Sequence, residues 1–152
     1  MTLKNQTRSK RPRCPEEDTY LELLRTTDLL TRRLAHVLKA EDLSSTQYNV
    51  LRILRGAPEG LPCGEIANRM ITRDPDVTRL LDRLEKRGLI SRNRESKDRR
   101  MVLARVTGEG LELLERMDSP VREAHVRQLG HLGRERLENL TELLRVCRDE
   151  AA

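Results

Sequence analysis

Apolar positions repeat at three- and four-residue spacing through most of the chain and switch to alternation in one short stretch. That pattern predicts a mainly helical protein with a small antiparallel sheet. The first helical run starts at Pro15, with Glu16, Glu17 and Asp18 set against the positive end of the helix dipole. Tyr20, Leu23, Leu24, Leu30, Leu34, Val37 and Leu38 continue its stripe to about Ala40. Ser44-x-x-Gln47 forms a capping box, and Leu43 is placed to staple onto Tyr48. The helix it opens carries Val50, Leu51 and Leu54 and ends before the turn residues Gly56 to Gly60. A one- or two-residue edge strand at Leu61 and a short helix from about Cys63 to Met70 follow.

The stretch from Asp74 to Val106 holds the sharpest change of period. Asp74 suits an N-cap, Pro75 the first helical position, and Gly88 the left-handed position past the end. Val77, Leu80, Leu81 and Leu84 form one inward stripe, and Asp76, Arg79, Arg83, Lys86 and Arg87 occupy the other face. Beyond Gly88, Val102, Ala104 and Val106 alternate with Met101, Leu103 and Arg105, as in a strand, so residues 96–100 become a hairpin tip. The short helix before it, the turn Ile71-Thr72-Arg73 and the helix from Asp74 make a helix-turn-helix. Thr107 caps a long helix bearing Leu111, Leu114, Met117, Val121 and Ala124, with a kink or break expected near Ser119 because Pro120 lies inside it. Gly130 and Gly133 mark a turn to a last helix with Leu137, Leu140, Leu144 and Cys147 at near-heptad spacing.

Charge sharpens this picture through its distribution rather than its total. Of the net +5, residues 1–15 supply five basic groups and no acid. Residues 66–105 carry 12 basic and 6 acidic groups, against net −3 on either side. A basic block within a mildly acidic body is an electrostatic footprint for a polyanion. A helix with a cationic outer face and a hairpin with a cationic tip make two probes on one side, suited to a duplex groove and its neighbouring backbone. Tyr20 and Tyr48 are the only aromatics, which disfavours single-strand and RNA modules that stack bases on rings.

Thr78 to Ile90 (TRLLDRLEKRGLI), Asp98-Arg99-Arg100 and the Thr107-x-x-Gly110 that follows a strand resemble the recognition helix and wing of the MarR family of bacterial regulators. The resemblance implies a winged helix-turn-helix lobe at 43–107 and an α-helical dimerisation region from 15–42 and 108–152; residues 1–14, polar, basic and without periodicity, read as a disordered basic tail rather than a minor-groove arm. It implies a homodimeric repressor binding a pseudo-palindromic double-stranded operator, with recognition helices about 34 Å apart, released by a small-molecule effector. Candidate DNA-binding residues are Thr72, Arg73, Asp76, Thr78, Arg79 and Arg83 on the helix-turn-helix, and Lys97, Arg99 and Arg100 on the wing. Arginine suits guanine edges and bidentate phosphate contact. Asp74 and Asp76 depart from the usual neutral residues: Asp74 is read as the cap, Asp76 either as a cytosine acceptor or as a partner orienting Arg79 or Arg73. Ile71 replaces a small turn residue. The effector cleft is expected from the first, second and fifth helices, with Thr27, Leu30, Tyr48 and Leu51 as candidates.

Other chemistries find little support. Cys14, Cys63 and Cys147 are 49 and 84 residues apart and fit neither zinc spacing nor a disulfide framework. Cys14, between basic residues and a helix start, is the candidate for an alternative thiol-based redox-sensing repressor; Cys63 and Cys147 read as core or interface residues. His36, His125 and His131 share no ligand spacing. Gly108-x-Gly110 lacks the surroundings of a nucleotide loop. No metal, cofactor or enzymatic activity is expected, and no apolar run suggests a membrane span or signal peptide, so a cytoplasmic location is expected. A winged-helix module that binds protein rather than DNA is the second alternative.

Overall fold

The computed structural model describes residues 14–94 and 100–149. Helix α1 (Pro15–Leu38) passes through one 3-10 turn, Lys39–Glu41, into helix α2 (Ser45–Arg55). Strand β1 (Leu61–Pro62), helix α3 (Cys63–Arg69) and helix α4 (Val77–Lys86) follow. Strands β2 (Ile90–Arg94) and β3 (Val102–Val106), then helices α5 (Gly108–Leu129) and α6 (Arg134–Asp149), complete the order. The sheet is antiparallel in the order β1-β3-β2, with Leu61 opposite Ala104 and Ile90 opposite Val106.

The capping box at α2 forms as the sequence requires: the Gln47 amide donates to Ser44 Oγ at 3.1 Å, and the Ser44 amide to Gln47 Oε1 at 3.0 Å. Leu43 and Tyr48 both join the core. That core lies under the winged lobe, where Leu51, Leu54, Ile66, Leu81 and Leu84 have essentially no exposed surface. Each such side chain contributes on the order of 2 kcal/mol by leaving water. Helix α5 extends the core through Leu113, Leu114, Met117 and Val121.

Two expectations are corrected. Helix α4 begins at Val77, capped by Asp76, rather than at Pro75 after Asp74. The Asp74 carboxylate instead accepts the Asp76 amide at 2.8 Å, which turns the chain into the helix two residues later. Of the kink or break expected near Ser119, the break does not occur: helix α5 is one element through Pro120. Only one backbone donor is lost there, and Met117, Val121 and Ala124 bury one continuous stripe on both sides of it. The strand pattern also differs from simple alternation: Leu103 and Ala104 are both buried, whereas Val102 is half exposed.

Candidate nucleic-acid interface

The stretch from α4 to α5 is locked together by backbone chemistry that its residue types dictate. At the end of α4 the Gly88 amide donates to the Glu85 carbonyl at 2.9 Å and the Leu89 amide to the Leu84 carbonyl at 3.1 Å. This double closure requires a left-handed residue, and Gly88 has φ +71°. Thr107 Oγ1 donates to the Gly88 carbonyl at 2.6 Å and accepts the Gly110 amide at 3.1 Å, so one hydroxyl joins the end of α4 to the start of α5. Gly110 sits so close that a Cβ there would lie 2.3 Å from the Leu89 carbonyl oxygen. The Thr-x-x-Gly spacing therefore has a packing cause.

Arg92 on β2 fixes the angle between α4 and the wing. Its guanidinium donates to Glu85 at 2.6 and 3.0 Å and to Asp82 at 2.5 Å, and its amide donates to the second Glu85 oxygen at 3.0 Å. The guanidinium holds the Glu85 carboxyl below its ordinary pKa, and Glu85 in turn raises that of Arg92. Sequence reading did not single out Arg92. The available signal was Asp82 and Glu85 one turn apart, a pair needing a cation from the next strand. Asp82 thus pairs with Arg92 on the strand and not with Arg79 or Arg83 on its own helix.

Thr72, Arg73, Thr78, Arg79 and Arg83 are all exposed. Asp76 Oδ1 accepts the Arg79 amide at 3.0 Å, and its other oxygen pairs with Arg79 Nε at 3.3 Å. In the free protein Asp76 thus caps the helix and pairs with Arg79, the contact that the arginine-orienting reading requires. Arg73 and Arg83 have no ion pair among the described residues. Arg100 stands exposed just before β3, while Lys97 and Arg99, with most of the hairpin tip, lie outside the described residues. The exposed Arg94 at the end of β2 joins the wing-side cations, a position hidden from sequence reading until the strand's extent was known.

The four effector-cleft candidates do not converge. Leu51 has no exposed surface, so it is a core residue and cannot meet a ligand. Thr27 and Leu30 line a groove of about 600 Å³ between α1 and α6. Tyr48 instead lines a cleft of about 250 Å³ with Leu34, Asn49, Arg52, Ile71 and His125. These side chains come from α1, α2, α5 and the turn before α4. Arg52 lies over the Tyr48 ring at 5.9 Å, and Asn49 Oδ1 accepts the Ile71 amide at 3.0 Å. At the start of α1, Cys14 is exposed and its thiol donates to Glu16 at 3.1 Å, which lowers the pKa of that carboxyl. Cys63 is half-buried and packs against the core, whereas Cys147 is exposed on α6. Among the described residues no group of three or more His, Cys, Asp or Glu side chains could hold a metal ion, and no helix is long and apolar enough to cross a membrane.

The MarR family profile matches residues 43–102, the span from the α2 cap to the start of β3. The transcriptional regulator FarR of Neisseria gonorrhoeae is 32% identical over 123 residues, covering 80% of this chain and 83% of FarR. The crystal structure of a MarR transcription factor from Planctomyces limnophilus is 39% identical with a TM-score of 0.68, covering 90% of this chain and 99% of that one. The repressor CouR, solved bound to a 23-mer DNA duplex, is 27% identical with a TM-score of 0.79, covering 91% of this chain and 99% of its own. With its helix-turn-helix, Arg92-clamped wing and Thr-x-x-Gly latch, the chain belongs to the MarR family of winged-helix transcriptional regulators.

Proposed function

We propose that this protein is a sequence-specific binder of double-stranded DNA, acting as a homodimeric repressor that a small molecule releases. The observation that carries the reading is α4 itself. Its outer face presents Thr78, Arg79 and Arg83 to solvent, while its inner face is buried and its two ends are fixed by Asp76 and Gly88. A rigid helix with exposed arginines one turn apart suits major-groove readout, and the wing supports a second contact beside it. CouR, with the same fold, is a repressor seen on a DNA duplex.

The dimer reading rests on apolar surface that the single chain leaves open. Tyr20, Leu24 and Leu29 on α1 and Leu140, Leu143 and Val146 on α6 are all at least 39% exposed, and α6 has no buried residue. A second copy covering both terminal helices removes that surface from water. The effector reading rests on the cleft at Tyr48 and Arg52. Its size suits a molecule of about one ring, and its Arg52 and His125 suit an anionic group. An occupant would press on the Asn49–Ile71 link to the turn before α4 and so bias the lobe's position.

The test is selection of a duplex from random sequence, followed by titration of the wild type and Arg79→Ala at two salt concentrations. Selective binding with a steep salt slope, weakened and made less selective by the substitution, is expected. A wild type with no preference over random duplex overturns the reading.

A further inference from the structure

On the side of α4 away from the wing, a cleft of about 570 Å³ opens between the end of α4, the turn after α1 and the start of α2. Lys39, Arg83, Lys86 and Arg87 line it, against the single acid Asp42. Lys39, Arg83 and Lys86 are exposed and have no side-chain hydrogen bond or ion pair among the described residues. Arg87 donates to the carbonyls of Asp42 at 2.7 Å and Glu41 at 2.9 Å, which fixes one wall of the cleft while keeping its positive charge. Nearby Glu41 is hydrogen-bonded to Arg116 at 3.1 Å and also feels the charge of Arg87, so it offsets part of the charge on that wall and leaves Lys39, Arg83 and Lys86 without a paired acid among the described residues. Ser44 and Gln47 also line the cleft, which places the positive end of α2 on its floor.

Four exposed cations gathered in a concavity make a local positive potential that suits a polyanion. Arg83 belongs both to this cleft and to the outer face of α4, so the cleft is continuous with the proposed major-groove surface. We infer that the cleft at Lys39 and Lys86 is a backbone-phosphate site, gripping the DNA strand that borders the major groove on the flank opposite the wing. The inference rests on the DNA-binding reading above and adds to it. The helix would then be held by phosphate contacts on both sides, which fixes its register without reading sequence.

The experiment titrates full-length wild type, Lys39→Ala/Lys86→Ala and Arg79→Ala against the selected duplex and a random duplex across a range of potassium chloride. Both lysines are exposed and make no side-chain bond among the described residues, so the double variant is expected to keep the wild-type circular dichroism and melting. Each lost phosphate contact reduces the salt slope by about 0.9 and weakens binding roughly eightfold at 0.1 M salt. The double variant should lose about two such contacts per bound subunit, equally on both duplexes, leaving the selectivity ratio unchanged. Arg79→Ala should lower that ratio instead. Ethylation interference supplies a second readout: a backbone phosphate that blocks the wild type when ethylated should become indifferent in the double variant. If the wild type binds selectively but slope and interference pattern are unchanged in the double variant, the cleft is not a phosphate site. If the wild type binds no duplex selectively, the parent reading fails and this inference with it.

Discussion

Asp76 is the residue at which helix stability and DNA reading meet, and two substitutions separate its roles. Its carboxylate caps α4 through the Arg79 amide at 3.0 Å and pairs with the Arg79 guanidinium at 3.3 Å. Asp76→Ala removes both. Loss of the cap costs about 1 kcal/mol. The ion pair adds at most a few tenths, because its side chains are 71% and 49% exposed and water screens them. Asp76→Asn keeps a side-chain oxygen for the cap and discards only the charge, so its cost should stay within about 0.5 kcal/mol. Urea unfolding of the two variants measures the difference directly. On DNA, Asp76→Asn removes a negative charge beside the proposed phosphate track and frees Arg79, so affinity should rise on selected and random duplexes alike. Equal destabilisation by the two substitutions refutes the cap argument. A loss of discrimination at one base pair in Asp76→Asn, worth about 1–3 kcal/mol, that persists when Arg79 is already alanine refutes the orienting role and makes Asp76 a base reader.

Three further outcomes follow from the geometry. Gly110→Ala would place a methyl 2.3 Å from the Leu89 carbonyl oxygen and 2.7 Å from Val106 Cγ2, so despite alanine's better helix propensity it should destabilise by about 2 kcal/mol in denaturant unfolding; a stabilised variant would mean the latch yields freely. Arg92 and Arg116 hold the carboxyls of Glu85 and Glu41 below their ordinary pKa, so their stabilisation is present above the usual carboxylate value of about 4.3 and is lost as pH falls through the lower folded value. Melting temperature should therefore drop in that acidic window, less steeply in Glu85→Gln, and an unchanged profile would count against the Arg92 clamp. Leu143→Glu, at a position 63% exposed in the single chain, should leave the fold intact and shift sedimentation towards monomer if α6 lies in a dimer interface.

Much of the site was legible because its signals are local. The Ser44/Gln47 box, Gly88 past the end of α4, and Thr107 with Gly110 each answer an unsatisfied backbone group or a conformation that few residues can adopt. Apolar spacing likewise sufficed to place the inner face of α4 and hence the outward arginines. Local rules could not choose between Asp74 and Asp76, since each is a good cap two residues from the other; the path of the turn from α3 decides, and it makes Asp74 a brace for Asp76. Nor could they show that Pro120 is tolerated, because the compensation is burial of Met117, Val121 and Ala124 against other elements. Leu51 and Tyr48 look alike as apolar residues of one helix, yet one is sealed in the core and the other lines a cleft. Lys39 owes its surroundings to chain segments distant in sequence, a turn carried against the end of α4, and Arg92 meets Glu85 and Asp82, seven and ten residues before it, only because β2 folds back past α4. Sequence alone thus determined the elements, most of their caps and the charge they carry, because those depend on neighbours within one or two turns. Which charges are neutralised and which are left facing a partner was decided only by the tertiary structure, because an electrostatic environment is set by distance in space.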